Sequence, residues 1–231
     1  MKKKRIFNVA SMLLNAAIVI FTVHCVINIF RVSIMSNDGT LEATGWIAFR
    51  YFTVLSNVLM ALVSLVFIVF NVKNAVNDTY EFPRWALMMK LSATVAVAVT
   101  FTTCVVFLGP IVMPLAGYTF FDLFVNENFF MHLFTPVLAM AAFVFFEKVE
   151  NFRFVETLYG LIPTAVYSAV YMPMVLVGEE NGGWPDFYGF TFGGIMWVIP
   201  LSLIAMYGMT FGLSVALRAS QKAFFKKISV E

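Results

Sequence analysis

The chain has 231 residues, of which 61% are hydrophobic and only 12% charged, whereas charged residues alone make up about a quarter of an ordinary soluble protein. This composition excludes a soluble enzyme and indicates an integral membrane protein, with room for one compact bundle over residues 1–231 and no separate soluble domain. A net charge of +2 is too small to suggest a nucleic-acid partner.

Residues 2–5 are Lys-Lys-Lys-Arg, followed by an apolar run over about 6–30. That run exceeds the roughly 7 to 15 apolar residues of a secretory signal and reads as a retained first transmembrane helix. Five further runs, at about 46–70, 86–109, 129–146, 155–177 and 191–217, approach or exceed the roughly 20 residues that span a bilayer. The expected fold is therefore all-α, a polytopic bundle of six transmembrane helices joined by short connections. Of the fifteen Lys and Arg residues, thirteen fall on the side of the N-terminus, Lys73, Arg84, Lys90, Lys148 and Arg153 among them, and only Arg31 and Arg50 fall opposite. The positive-inside rule then places both termini in the cytoplasm.

The connections expected outside are residues 31–45, with Asp38 and Glu42; residues 110–128, apolar and broken by Pro110 and Pro114; and residues 178–190, with Trp184 and Tyr188 at headgroup level. The second reads as a segment dipping into the interface. The tail from Arg218 reads as a basic amphipathic end near anionic lipid. Cys25 and Cys104 lie in apolar runs and read as small buried hydrophobes. A disulfide between them stays open.

The second run carries an unusual polar stripe. Arg50, Thr53, Ser56 and Asn57 recur at helical spacing and share a face with Trp46, Phe49 and Met60. Inside a membrane such groups need protein partners or a wet cavity. At about 1.5 Å of rise per residue, Thr53 lies roughly 10 Å and His132 roughly 5 Å below the outer surface. The first run ends with His24, Asn28 and Arg31 on one face, the fourth has Pro136 one turn after His132, and the fifth adds Tyr167 and Tyr171. A lone membrane threonine ordinarily bonds a carbonyl one turn back, and arginines near helix ends can snorkel. Convergence at one depth instead suggests a polar cavity in the outer half, above mostly apolar inner halves, with no intramembrane acidic residue pair.

No Gly-x-Ser-x-Gly elbow, His-Glu-x-x-His motif, phosphate-binding glycine loop or Cys-x-x-Cys pair occurs. No cofactor is expected, and two histidines make a metal site a poor reading. A threonine hydroxyl with an imidazole base is the simpler chemistry, Thr53 attacking and His132 taking its proton.

The Arg-Tyr-Phe-Thr-x-x-Ser-Asn segment at 50–57, the His-x-x-x-Pro motif at 132–136 and six helices in about 230 residues resemble the bacterial predicted-six-transmembrane-protein family. That family is similar to the animal androgen-induced-gene and androgen-dependent tissue-factor-pathway-inhibitor-regulating proteins. The resemblance implies an intramembrane threonine hydrolase acting on fatty acid esters of hydroxy fatty acids in a bacterial cell membrane, with Thr53 as nucleophile and His132 as catalytic histidine. Arg50, Asn57, His24 and Tyr171 are the expected substrate-binding residues. The rival reading is a lipid-binding or small-molecule-binding protein or transporter that uses the same cavity without covalent chemistry, and a scaffold for partners is the third.

Overall fold

The structure, a computed structural model, describes residues 2–31, 45–115 and 117–229. Among these residues, six helices are long and apolar enough to cross a membrane: α1 Lys4–Arg31, α2 Phe52–Val76, α3 Arg84–Leu115, α4 Glu127–Phe146, α5 Phe154–Val177 and α6 Met196–Ile228. The connection carrying Asp38 and Glu42 lies outside the described residues. The α2–α3 and α4–α5 connections meet near the start of α1, where Asn8 donates to the Thr79 carbonyl and Tyr80 to the Phe146 carbonyl. This is termed the terminal end of the bundle, and the opposite end the far end.

The helices run past two of the expected boundaries. α3 continues through Pro110 and Pro114 to Leu115 by widening into a π-type turn over Thr103–Val112, so the start of the expected dipping segment is helix. α6 runs through Arg218 instead of ending there; beyond it, Gln221 is buried and bonds the Phe143 and Glu147 carbonyls. The basic tail is thus partly a packing surface.

Burial follows a regular period. On α1 the buried residues are Asn8, Ser11, Asn15, Ile18, Thr22, Cys25 and Ile29. Their alternating spacing of three and four is the seam of a left-handed helix pair, and its small and polar composition suits association within lipid, where helix backbones approach closely. α3 is the central helix: nearly every residue from Ala86 to Thr100 is buried, and it packs against α2, α4, α5 and α6. Alanines at 93, 96 and 98 keep it slim enough for four neighbours.

The central position of α3 has a consequence that contradicts the expected apolar inner halves. Lys90, one of the basic residues counted toward topology, is wholly buried. Its ammonium lies 3.4 Å from Glu147 Oε1, donates to Asn15 Oδ1 and, at 3.4 Å, to Ser64 Oγ, and sits 4.9 Å above the Phe67 ring. Glu147, likewise wholly buried, also accepts from Ser11 Oγ at 3.0 Å and Asn15 Nδ2 at 2.7 Å. Asn71 joins through Ser11 at 2.9 Å. An acidic and a basic residue are therefore paired inside the bundle.

At the same end, Arg84 pairs with Glu156, which Arg153 also contacts at 3.3 Å, tying the starts of α3 and α5. Further along, Gly160 of α5 meets α6 and α3 so closely that an added Cβ would stand 2.6 Å from Ser214 Oγ and 2.9 Å from Val95 Cγ2. Gly160→Val is expected to destabilise the protein by about 1–3 kcal/mol through overpacking, read as a lowered melting temperature in detergent, whereas Gly208→Ala, with open space around it, should melt like the parent.

Candidate functional site

The second helix begins later than its apolar run. A short 3-10 turn, Gly45–Arg50, is followed by Tyr51 in extended backbone (φ −89°, ψ 134°), and regular helix starts at Phe52. A helix start leaves amide donors without partners. Here the Phe52 amide donates to the Tyr188 hydroxyl at 2.8 Å, and the Arg50 carbonyl accepts from the Tyr167 hydroxyl at 2.6 Å. The break turns Arg50 off the face of Thr53, so the expected stripe does not include it. Its guanidinium instead lies 5.6 Å over the Trp184 ring.

The break also explains the state of Thr53. Ser92, Thr100 and Thr210 each bond the carbonyl one turn back, as intrahelical hydroxyls usually do. Thr53 stands in the first turn, where the extended Tyr51 has removed that carbonyl from reach. Its hydroxyl makes no hydrogen bond among the described residues, and it lines a cavity of about 330 Å³ between α2, α3, α5 and α6. Phe52, Thr100, Cys104, Tyr167, Tyr171 and Tyr188 share that wall.

Asn57 lies one turn below and is fully buried. Its amide donates to the Thr53 carbonyl at 2.8 Å and to the Met131 carbonyl at 3.0 Å, tying the first turn of α2 to the residue before His132. His132 sits in a π-type turn, Phe130–Phe134, just ahead of Pro136. Its Nδ1 is 3.2 Å from the Leu123 carbonyl. A carbonyl only accepts, so this contact makes Nδ1 the protonated nitrogen and leaves the Nε2 lone pair free. No hydrogen bond joins the Thr53 hydroxyl to the His132 ring among the described residues, and His132 does not line the Thr53 cavity.

The other expected residues part company. Tyr171 is buried in the cavity wall beside Thr53. His24 is exposed on α1, where its Nε2 lies 3.1 Å from Asn28 Nδ2, which also donates to Glu127 at 2.6 Å. The structure thus unites Thr53, Tyr167 and Tyr171 in one cavity, places Asn57 at the α2–α4 contact and His132 against the Leu123 carbonyl, and leaves His24 and Arg50 elsewhere. Among the described residues, no three His, Cys, Asp or Glu side chains gather as a metal site. Cys25 and Cys104 are free thiols, so the open disulfide does not form.

Sequence reasoning missed the role of the connection after α5. Asp186 accepts from the Phe190 amide (2.9 Å), the Thr191 amide (2.6 Å), the Thr191 hydroxyl (2.7 Å) and the Tyr171 hydroxyl (2.9 Å). That turn seats Tyr188 on the start of α2 and closes the cavity. An Asp followed by Gly189, Gly193 and Gly194, all at positive φ, was the available signal. Burial pushes the Tyr188 hydroxyl up from its ordinary value, so it stays a neutral phenol at neutral pH.

A second space runs along the outside of the bundle between α2, α3 and α5, a groove of about 970 Å³. Its wall is apolar, with Leu55, Leu59, Met88 and Val166, and ends at Arg84, Arg153 and Glu156 on one side and Trp184 on the other. Phe52 and Tyr167 line both spaces and form the partition between them. Comparisons of the chain with protein-family models, curated proteins and solved structures found no match.

Burial alone would raise the Asp186 carboxyl, but the donors on Thr191, Phe190 and Tyr171 outweigh it and hold the group below the usual carboxylate range. A depressed folded value gives stability that is full above the unfolded value near pH 4 and is lost as pH falls through the folded one. Amide exchange at residues 186–191 is therefore expected to stay protected, after correction for intrinsic rates, down to about pH 4 and to lose protection below it. Asp186→Asn should lower protection at neutral pH and abolish the acid step.

Proposed function

We propose that the chain is an intramembrane lipid-ester hydrolase in which Thr53 is the nucleophile and His132 the general base. The observation that carries this reading is the Thr53 hydroxyl at a helix start, which makes no hydrogen bond among the described residues and faces a largely apolar cavity. Thr53 Oγ1 attacks the ester carbonyl carbon while its proton passes to His132 Nε2. Collapse of the tetrahedral intermediate breaks the bond to the leaving oxygen, which takes that proton, and water then hydrolyses the acyl-threonine.

Asn57 supports the pairing by holding the Thr53 and Met131 carbonyls on one amide, and the Leu123 contact supports the basic tautomer. Catalytic hydrogen bonds that are absent at rest commonly tighten when substrate binds. The Tyr188 phenol, which accepts from the Phe52 amide and keeps its own proton, stands within the same wall as a donor for the developing oxyanion.

The arrangement of the two spaces supports a substrate with two apolar arms flanking the ester, as in fatty acid esters of hydroxy fatty acids. One arm would occupy the cavity and the other the groove, meeting at Phe52 and Tyr167. From Tyr167 down α5 to Glu156 is eleven residues, roughly 16–22 Å at helical rises of 1.5 to 2.0 Å. An acid group at the end of the groove arm would then come near Arg153, far from the ester. By the basic-residue distribution, this arm points to the cytoplasmic leaflet and Thr53 lies in the outer half of the cell membrane.

A second reading, lipid binding without turnover, draws on the missing hydrogen bond between Thr53 and His132. Rates distinguish the two. Purified Thr53→Ala and His132→Ala proteins are expected to hydrolyse a long-chain ester of a hydroxy fatty acid at least 100-fold more slowly than the parent, on the scale typical of losing a nucleophile or general base. Parent protein that retains the ester without cleaving it, or variants with undiminished rates, would favour binding alone.

A further inference from the structure

The Lys90–Glu147 cluster plays no part in the proposed hydrolysis, yet ionisable groups inside a membrane bundle are costly and tend to be functional. Its donors and acceptors are unevenly matched. Glu147 Oε1 accepts from Ser11, Asn15 and Lys90, whereas Glu147 Oε2 is buried with no partner among the described residues. Asn71, two hydrogen bonds away through Ser11, has a buried Oδ1 that is likewise unpartnered among the described residues. Both orphaned atoms are acceptors. The cluster is short of a proton donor, and a hydrogen on Oε2 would supply one without any added heavy atom.

The surroundings suit either charge state of Glu147. Lys90 does not depend on the carboxylate alone, because Asn15 Oδ1, Ser64 Oγ and the face of Phe67 also stabilise its charge. The groups facing Glu147 from α1, α2 and α6 are neutral: Ser11, Asn15, Asn71 and Gln221. The titratable neighbours are Lys90 from α3, Tyr80, whose hydroxyl bonds the Phe146 carbonyl, and Lys148, which is paired outward with Glu150 at 3.2 Å.

A polar opening lies at the terminal end. A polar recess of about 410 Å³, lined by Lys148, Glu150, Gln221, Lys222 and Lys226, reaches Gln221. The Gln221 amide donates to the backbone carbonyl of Glu147 at 3.0 Å, and its oxygen accepts from the Val149 amide at 3.1 Å. Gln221 therefore links the recess to the backbone of the residue that carries the buried carboxylate.

We propose that this cluster is an intramembrane proton-binding site: Glu147 Oε2 takes up a proton from water in the terminal-end recess. The O–H bond forms at Oε2, the carboxylate becomes a neutral acid that donates toward Asn71 Oδ1, and Lys90 keeps its charge on Asn15, Ser64 and Phe67. Release reverses the step. The cluster thus couples the charge inside the bundle to the pH at one membrane face, independently of the Thr53 chemistry.

The test is pH-difference infrared spectroscopy of the full chain in lipid nanodiscs. Acidification is expected to produce a carboxylic-acid C=O band that Glu147→Gln lacks and that Asn71→Leu moves to higher frequency by removing the acceptor. Lys90→Met removes the favourable charge and should raise the midpoint of the band by about one to three pH units. If Glu147→Gln does not fold, the charge-neutral Lys90→Met/Glu147→Gln pair serves in its place. Parent spectra indistinguishable from those of the Glu147→Gln protein, or a band whose midpoint ignores Lys90→Met, would overturn the proposal and leave the pair as a structural lock.

Discussion

Inside an apolar bundle, a polar group cannot turn to water, so each must find its partner in the protein. That constraint shapes the structure at both ends. At the terminal end, α3 is surrounded by four helices, and the lysine it carries into the interior gathers Glu147, Asn15 and Ser64 around it. At the far end, the interrupted start of α2 gathers the phenols of Tyr167 and Tyr188, one for a carbonyl and one for an amide. The connection after α5 is held in place for the same reason, with Asp186 satisfying the turn that presents Tyr188.

Helical hydroxyls meet that constraint unevenly: Thr100 and Thr210 bond the carbonyl one turn back, whereas the hydroxyls of Thr22, Thr94 and Thr164 are buried with no partner among the described residues. Placing a threonine just after a helix break leaves its oxygen uncommitted and turned to a cavity. Phe52 and Tyr167 then separate the cavity that Thr53 lines from the apolar groove along α2, α3 and α5.

The six helices were legible because each is a long apolar run, and helical rise suggested similar levels for Thr53 and His132. The break at Tyr51 was not, because Arg-Tyr-Phe contains no glycine or proline to announce it; partners 117 and 136 residues away stabilise it. Depth also says nothing about azimuth. His132 and Thr53 project from neighbouring helices, yet only Thr53 lines the cavity, because which side of α2 meets α4 depends on packing that no single helix encodes. Lys90 was counted only as a topology marker, and Glu147, one residue past an expected helix end, was not singled out; α3 becomes central only once its neighbours are known. The chemistry assigned to Thr53 comes from the resemblance of two short motifs and from its uncommitted hydroxyl together.

Trapping the covalent intermediate tests the nucleophile most directly. The parent protein is incubated with a long-chain activated ester, quenched in acid and digested for mass spectrometry. An acyl adduct on the peptide containing Thr53, localised to that side chain and absent from the Thr53→Ala protein, is the predicted result. A parent protein that turns over the ester with no adduct at Thr53, or with the acyl group on another hydroxyl such as Ser56, would contradict the account.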